Sequence, residues 1–236
     1  MEIRYDIVQR TAEWHKIKWG KIGGTLSNGL FKNTDTLLIK LLAEHCEEFD
    51  LEDNSYYGDD VIRGIELEPQ AKAQLEIYTG LTFLDAGWIQ STEIPLLGIS
   101  PDGITKDETI MCEIKCPARV KHTRTILEDQ IPDDHLEQCI HAFTVNPKLE
   151  KLYFCSFRPE SIKPLFVKEL NQMSLVDLGW KKTIEIEQRG IKGQLIKPKI
   201  KKVADIRSVR EWVEIAKTEA LRLELLIKQK IEELKF

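Results

Sequence analysis

The sequence predicts a mixed α/β domain in which helices flank one central mixed sheet and a helical extension follows at the C-terminus. Three observations predict it: apolar side chains recur at helical spacing through residues 11–78, short segments rich in β-formers follow from residue 82, and a helical pattern returns at the end of the chain. Elements mixed in this order pack as a sheet covered by helices. The 236 residues are enough for one domain, or for one domain with an appendage.

The first half of the chain carries three helix patterns. Residues 11–19, TAEWHKIKW, begin with a threonine that can cap a helix, and the glycine-rich GGTLSNG then interrupts the pattern. A second helix is predicted over residues 33–46. A third is predicted from about Asp60 to Tyr78, and Gly80 ends it.

The middle of the chain changes from helical to extended patterns. Residues 82–115 contain three short segments, TFLDAGWIQ, IPLLGISPDGI and TIMCEIKC, separated by Gly, Pro and Asp turns, which predicts an antiparallel meander. Helices are then predicted over residues 118–128 and, after Pro132, over residues 134–144. Two more strands are predicted in KLYFCSFRP and KPLFVKEL.

The last segment, residues 205–236, predicts a long amphipathic helix. Its apolar side chains recur at helical spacing, with Glu and Lys on the other faces. We therefore divide the chain into a main domain over 1–190, a basic linker or arm over 191–204, and the helix. Because the apolar stripe is not a strict heptad, it does not decide whether the helix packs on its own domain or pairs with another chain.

Composition narrows the classes of function. No apolar run reaches the roughly 20 residues of a membrane span, and the opening MEIRYDIVQR lacks the apolar segment of a signal peptide, so we expect a cytoplasmic protein with no membrane partner. The five cysteines form no C-x-x-C pair and no zinc-site spacing, which predicts reduced thiols packed as small apolar residues. A net charge of -5 argues against a protein that simply coats nucleic acid, but it permits an enzyme that clusters carboxylates around metal ions.

The stretch GISPDGITKDETIMCEIKCP, residues 98–117, combines three charges with an apolar strand. On a strand, Glu113 and Lys115 project to one face while Ile114 projects to the other. A hairpin can bring the carboxylate of Asp102, in the preceding turn, beside that of Glu113. Two carboxylates held together repel each other unless a cation lies between them, and Mg²⁺ is the natural candidate because it prefers carboxylate oxygens, water and phosphate oxygens. The carbonyl of Ile114 is a further hard oxygen ligand.

Lys115 has a role in this arrangement that a carboxylate cannot fill. Its ammonium can hold an attacking water or offset the charge that builds on a phosphate, which suits hydrolysis of a phosphodiester. A plainer interpretation stays open from the spacing alone. Asp-Gly turns are common in hairpins, and a Glu and a Lys two apart are typical of a solvated strand face.

These residues resemble a known family. PD at 101–102 followed by EIK at 113–115 resembles the signature of the PD-(D/E)XK nuclease superfamily, and the full stretch is similar to that of its phage lambda exonuclease branch, the YqaJ-type viral recombinases. Residues 63–71, RGIELEPQA, resemble a family segment that brings an acidic residue to the metal site, which corresponds to Glu68. Residues 135–145, HLEQCIHAFTV, resemble a family helix with a Gln-x-Gln pair, of which only Gln138 is kept.

A further match lies near the N-terminus. Residues 13–25, EWHKIKWGKIGGT, are similar to the family segment whose arginine and serine bind phosphate, but Lys18 and Thr25 stand at those two positions. Lysine keeps the charge and loses the planar fork that grips phosphate, so recognition of a 5′-phosphate is in question. Ser100 matches a family hydroxyl that contacts phosphate. His15 is predicted to be structural or peripheral.

The resemblance implies a Mg²⁺-dependent exonuclease that degrades one strand of double-stranded DNA from a 5′ end, with Mn²⁺ as a substitute ion and a two-ion site. It also implies a phage or prophage origin, DNA ends as the substrate, a single-strand annealing protein as partner, and a ring-shaped homotrimer. The metal and catalytic residues implied are Glu68, Asp102, Glu113, the carbonyl of Ile114 and Lys115. The phosphate or DNA contacts implied are Lys18, Thr25, Ser100 and Gln138.

Two alternatives use the same residues differently. The core could belong to an endonuclease of the restriction or junction type, or to a DNA-binding module that has lost catalysis. The intact Asp102, Glu113 and Lys115 weigh against the second. The iron-sulfur branches of the superfamily need a cysteine cluster that the sequence lacks.

Overall fold

The computed structural model describes residues 1–50, 58–179, 188–189, 195–196 and 204–234. The helices are α1 (Ala12–Lys18), α2 (Thr34–Cys46), α3 (Asp59–Thr79), α4 (Arg119–Glu128), α5 (Asp133–Val145) and α6 (Val209–Leu234), with a 3₁₀ helix (Gly24–Leu30) between α1 and α2. The strands are β1 (Glu2–Arg4), β2 (Trp88–Gln90), β3 (Gly98–Ile99), β4 (Gly103–Ile104), β5 (Ile110–Lys115), β6 (Lys151–Phe157), β7 (Leu165–Asn171), β8 (Leu175–Asp177), β9 (Gln188–Arg189), β10 (Leu195–Ile196) and β11 (Ile206–Ser208).

The central sheet has the strand order β4-β5-β6-β7. β5 and β6 run parallel, and the chain between them forms α4 and α5, as a parallel crossover requires. β4 and β7 pair antiparallel on the two sides. Helix α3 lies against β5, β6 and β7, while α4 and α5 contact β6. The predicted mixed sheet with flanking helices is therefore confirmed.

The predicted single meander is wrong in one respect, because its strands belong to two sheets. β2 and β3 pair with each other and with β1, whereas β4 and β5 pair in the central sheet. The chain crosses between the sheets at Ser100, Pro101 and Asp102. Proline has no N–H to donate and a fixed φ, so it ends the first ladder at this point. The crossing leaves Asp102 at the start of the central hairpin.

The first three helices form where the sequence predicts them. The side chain of Thr11 caps α1 by accepting from the backbone N–H of Trp14 at 3.3 Å. Gly80 ends α3 at φ 70, the left-handed conformation that glycine adopts without steric cost. The GGTLSNG segment, predicted as an interruption, forms most of the 3₁₀ helix.

The C-terminal helix begins at Val209, four residues later than predicted, because 206–208 pair with β8 as a strand. A capping box marks its start. The Ser208 hydroxyl accepts from the Glu211 N–H at 3.3 Å, and the Glu211 carboxylate accepts from the Ser208 N–H at 2.8 Å.

The apolar stripe of α6 packs on its own chain. Its buried residues belong to the larger hydrophobic cluster, and Trp212 donates its indole N–H to the Val176 carbonyl at 3.0 Å while meeting Phe31 edge to face. The buried residues of the stripe are Val209, Trp212, Val213, Ala216, Ala220, Leu223 and Ile227. The domain boundaries stay a prediction, and most of the predicted linker, 191–204, lies outside the described residues.

A smaller hydrophobic cluster lies between α3 and the central sheet. It contains three of the five free cysteines, Cys112, Cys116 and Cys155. Burial raises the pKa of Cys116 to about 11, so this thiol stays protonated at neutral pH. Cys139 is also buried and Cys46 is exposed. Across the described ranges, no helix is both long and apolar enough to span a membrane.

Candidate active site

The β4–β5 hairpin places Asp102 beside the end of β5. Gly103 pairs with Cys112, and β5 then runs on past the end of β4. The N–H of Ile114, on this uncovered edge, donates to Oδ2 of Asp102 at 2.6 Å. Because the N–H and C=O of a strand residue point to the same edge, the carbonyl of Ile114 faces the same side. The Asp102 carboxylate and the Ile114 carbonyl therefore lie on the same edge at the open end of the hairpin.

Glu113 and Lys115 share the opposite face of β5 from Cys112 and Ile114, as the alternation predicts. Glu113 is only 2% exposed, and its Oε1 accepts from Nζ of Lys115. Cys112 and Ile114 pack in the smaller cluster against α3. The buried carboxylate thus has a counter-charge from the same strand.

The charges in this region perturb one another. Burial, followed by repulsion from Glu113, raises the pKa of Asp102 to about 8, although Lys115 and the Ile114 N–H oppose the shift. Glu68 adds a smaller repulsion. Burial alone would lower the pKa of Lys115, but attraction by Glu113 and Asp102 outweighs it and leaves that pKa raised. The protein alone therefore favours a proton on Asp102 at neutral pH, and a cation could take its place.

A cavity of about 320 Å³ opens at this point, and we call it the acidic cavity after its two carboxylates, Glu68 and Asp102, although basic side chains also line it. Glu68 reaches it from α3 but is turned toward Arg10, whose Nη2 lies 2.6 Å from its Oε2. Among the described residues, no three His, Cys, Asp or Glu side chains are grouped so as to hold a metal ion. The residues that line the acidic cavity include Arg10, Arg63, Glu68, Asp102, Ile114, Lys115, Lys121 and His135.

The donor set nevertheless fits a divalent ion. Asp102 and Glu113 are close enough to raise the pKa of Asp102, and the Ile114 carbonyl faces the same edge. Mg²⁺ is commonly held by one or two carboxylates, with water and substrate phosphate completing its coordination. The site therefore offers what this ion needs without requiring Glu68 as a ligand.

A second cavity, of about 440 Å³, adjoins the first, and we call it the basic cavity. Lys18 lies in it with its Nζ 3.4 Å from the centroid of the Trp14 ring. Burial, and then the positive charge of Lys40, lowers the pKa of Lys18 to about 8. Thr25, on the 3₁₀ helix, is exposed and lines the same cavity, together with Lys21. Three lysines thus face one space.

The remaining predicted phosphate residues support this cavity rather than line it. The Ser100 hydroxyl donates to the Gly87 carbonyl and accepts from the Trp14 indole, both at 2.7 Å. Gln138 packs so closely on Gly24 that a Cβ there would lie 3.1 Å from its Cγ. His15 meets Trp14 edge to face and lines the cavity wall.

The structure therefore groups the predicted residues into two sets. Asp102, Glu113, Lys115 and the Ile114 carbonyl come together, Glu68 stands nearby with Arg10, and Lys18 and Thr25 share the second cavity. Their roles stay predictions.

Sequence reasoning missed several residues that line these cavities. Arg10 contributes to both, and His135 lies in the acidic cavity, stacked on Phe154 with ring centroids 5.8 Å apart. Burial, and then the charge of Lys115, lowers the pKa of His135 to about 4, so it is neutral at physiological pH. Lys21 and Lys40 could have been suspected from their charge, but their convergence on Lys18 depends on the tertiary fold.

The central mixed sheet and its hairpin define a domain with the PD-(D/E)XK nuclease fold. The YqaJ-like viral recombinase domain matches residues 13–147, more than half of the chain, and the chain belongs to this family. None of the curated proteins matches it.

Two solved structures of one exonuclease share this fold. The alkaline exonuclease LHK-Exo from Laribacter hongkongensis superposes with a TM-score of 0.69 at 21% identity, covering 95% of this chain and 96% of that chain. The structure of LHK-Exo in complex with dAMP gives the same values. A phage related exonuclease from Haemophilus somnus 129PT matches at a TM-score of 0.40 and 13% identity, over 99% of this chain and 96% of that chain.

Proposed function

We propose that the protein is a Mg²⁺-dependent exonuclease that degrades one strand of double-stranded DNA from a 5′ end. The observation that carries the proposal is the convergence of Asp102, Glu113 and Lys115 at the end of one hairpin. The lysines of the adjoining basic cavity could bind a phosphate. Membership of the YqaJ-like viral recombinase family supports a role for both features in acting on DNA. The similar LHK-Exo was solved with dAMP, a deoxynucleoside monophosphate of the class that a DNA exonuclease releases.

The chemistry follows from the charges. Asp102, Glu113 and the Ile114 carbonyl would hold the ion, with Mn²⁺ as a substitute and a second ion as part of the proposal. When bound, the ion neutralises phosphate charge and makes water a better nucleophile. Lys115, whose raised pKa keeps it charged, is placed to stabilise negative charge on the phosphate. The lysines of the basic cavity would bind a phosphate at the strand end through charge.

The wider assignment rests on the family resemblance. We propose DNA ends as the substrate, a single-strand annealing protein as a partner in phage-type recombination, a ring-shaped homotrimer, and a phage- or prophage-encoded protein acting in the bacterial cytoplasm. Long 3′ single strands would be the product passed to that partner.

Replacing Lys115 tests the catalytic assignment. We expect Lys115→Ala to slow strand degradation by about 10²- to 10³-fold, the effect of removing one electrostatic group from an active site, while duplex binding changes little. Because Glu113 would then lose its buried counter-charge, Lys115→Gln is the companion variant that keeps a hydrogen-bond donor. The measurement is release of nucleotides from a labelled linear duplex in Mg²⁺, with thermal melting as the folding check.

Lys228→Ala is the matched control, since Lys228 also pairs with a glutamate but lies on the surface of α6. Degradation by Lys115→Gln at the wild-type rate would reject the catalytic role. A covalently closed circle separates the two nuclease classes: an exonuclease leaves it intact, and its loss would indicate an endonuclease.

A further inference from the structure

Arg10 stands where the two cavities meet. It lines both the acidic and the basic cavity, a position shared among the described lining residues only with Val61. Its Nη2 is 2.6 Å from Oε2 of Glu68, 58 positions away along the chain. Both side chains are only partly covered, at 36% and 24% exposure, so the guanidinium is accessible from solvent. An incoming phosphate could therefore reach it.

The backbone gives a second observation. Arg10 has φ 70, the left-handed region that residues with a Cβ rarely adopt. Glycine would fit this conformation without that steric cost. The backbone conformation therefore does not explain why an arginine occupies this position. The function of its side chain does.

The third observation is the chemistry of the Arg10 guanidinium. Lys18, in the basic cavity, carries a point charge, whereas arginine presents a planar fork that matches two phosphate oxygens. The contact with Glu68 uses one end of that fork. A strand running from the basic to the acidic cavity would pass Arg10 between its end phosphate and the bond to be cut.

We propose that Arg10 is a phosphate-positioning residue that exchanges partners: Glu68 holds its guanidinium in the free protein, and a backbone phosphate of the DNA strand takes it over on binding. This rests on the proposed nuclease function. Glu68 is near enough to Asp102 to raise the pKa of that carboxyl. A cation in the acidic cavity would therefore offset the negative charge of Glu68 once Arg10 leaves it. Arg10 thereby links occupation of the acidic cavity to grip on the strand.

The test measures binding rather than turnover. Fluorescence anisotropy with a short labelled duplex, in Ca²⁺ to avoid cleavage, compares wild type with Arg10→Ala and Arg10→Gly. We expect both variants to bind at least about tenfold more weakly, because charge-assisted contacts to phosphate are among the strong hydrogen bonds. We also expect Arg10→Gly to melt at or above the temperature of Arg10→Ala, since glycine relieves the backbone.

A double-mutant cycle with Glu68 tests the exchange itself. In EDTA, Glu68→Gln should bind DNA about three- to tenfold more tightly than wild type, because it removes a negative charge and releases Arg10. The same substitution made on Arg10→Ala should give a clearly smaller gain. Equal gains in the two backgrounds would overturn the exchange.

Arg222→Ala is the control, because Arg222 makes a surface pair with Glu219 of the same 2.6 Å length and should not affect binding. If wild type degrades linear duplex and both Arg10 variants bind as it does, this inference fails and the proposed function stands. If wild type neither binds nor degrades DNA, the proposed function fails and the inference falls with it.

Discussion

The acidic and basic cavities adjoin each other but are built in opposite ways. The charged groups that line the acidic cavity have partners within the chain: Lys115 with the buried Glu113, Glu68 with Arg10, and Asp102 with the Ile114 N–H. In the basic cavity Lys40 pairs with Glu44 at 3.7 Å, whereas Lys18 rests against the Trp14 ring. The first cavity holds its charges in ion pairs and hydrogen bonds, while the second places the charge of Lys18 against an aromatic ring, where a ligand phosphate could neutralise it.

The difference follows from the elements that carry the residues. Asp102, Glu113 and Lys115 lie on a hairpin of the central sheet, whose ladders fix their relative positions. The basic side chains come from separate elements: Lys18 from the end of α1, Lys21 from the turn that follows it, and Lys40 from the middle of α2. Chemistry that depends on angstrom-scale placement suits the sheet, whereas binding by charge depends less on exact placement.

Asp102→Asn should have the largest effect, because it removes a buried carboxylate from the acidic cavity. We expect degradation of linear duplex to fall by about 10³-fold or more, at the upper end of single electrostatic groups. The loss should appear in Mg²⁺ and in Mn²⁺ alike, because either ion would need the carboxylate that the substitution removes. Initial rates of nucleotide release measure it.

The same variant has a second readout in stability. Asp102 has an ordinary pKa of 3.8 and one raised to about 8 in the folded protein, so the folded state binds more protons than the unfolded state between these values. Its contribution to stability is therefore present below about pH 4 and is lost as pH rises through about 8. In EDTA, the melting temperature of wild type should fall over this window more than that of Asp102→Asn.

Glu66→Gln is the control for both readouts, because Glu66 is an exposed carboxylate on α3. Parallel pH profiles for wild type and Asp102→Asn would mean that Asp102 is not strongly perturbed, and the contrast between the cavities would lose its electrostatic basis.

Lys18→Arg tests whether the charge of Lys18 in the basic cavity recognises a 5′-phosphate. The pKa of Lys18 is lowered to about 8 by burial and by Lys40, so its charge is lost as pH rises through that value. The preference of wild type for a 5′-phosphate over a 5′-hydroxyl end should decline by up to about tenfold between pH 7 and pH 9, since one pH unit above the pKa leaves about a tenth of the group charged. Lys18→Arg should keep its preference, because arginine stays protonated.

Competition between the two kinds of end, measured at both pH values, checks this prediction. Lys228→Arg, on the surface of α6, should behave as wild type. A pH-dependent decline that persists in Lys18→Arg would assign the titration to another group.

Much of the fold was predictable because it depends on local pattern. Apolar periodicity located the main helices, and alternation on β5 placed Glu113 and Lys115 on one face. The short signature at 101–102 and 113–115 predicted that Asp102 would come near them. These features depend only on the formation of a helix or a hairpin. Residues close together in the sequence determine whether such an element forms.

The rest depended on contacts between distant segments. One of the two sheets that divide the predicted meander also contains β1, which pairs with β2 although 84 positions separate Arg4 from Trp88. Arg10 meets Glu68 only because α3 folds back on the turn before α1, and its left-handed backbone cannot be read from an arginine in the sequence. The site's supporting residues were therefore less predictable than its acids.

Ser100→Ala should have the smallest effect. It tests whether Ser100 supports the basic cavity through its hydrogen bonds or contacts a phosphate directly. Its hydroxyl already donates to the Gly87 carbonyl and accepts from the Trp14 indole, which in turn lies beneath Lys18. Because a hydroxyl has one proton to donate, it has none left for a phosphate while the Gly87 contact persists. We expect the free energy of unfolding to fall by about 1 kcal/mol, typical of one lost hydrogen bond, and the preference for a 5′-phosphate to change less than twofold.

Chemical denaturation and end competition measure the two effects, with Ser161→Ala, in a turn outside both cavities, as the control. A large loss of phosphate preference without loss of stability would mean that the hydroxyl leaves Gly87 to bind the DNA, as the family resemblance implies.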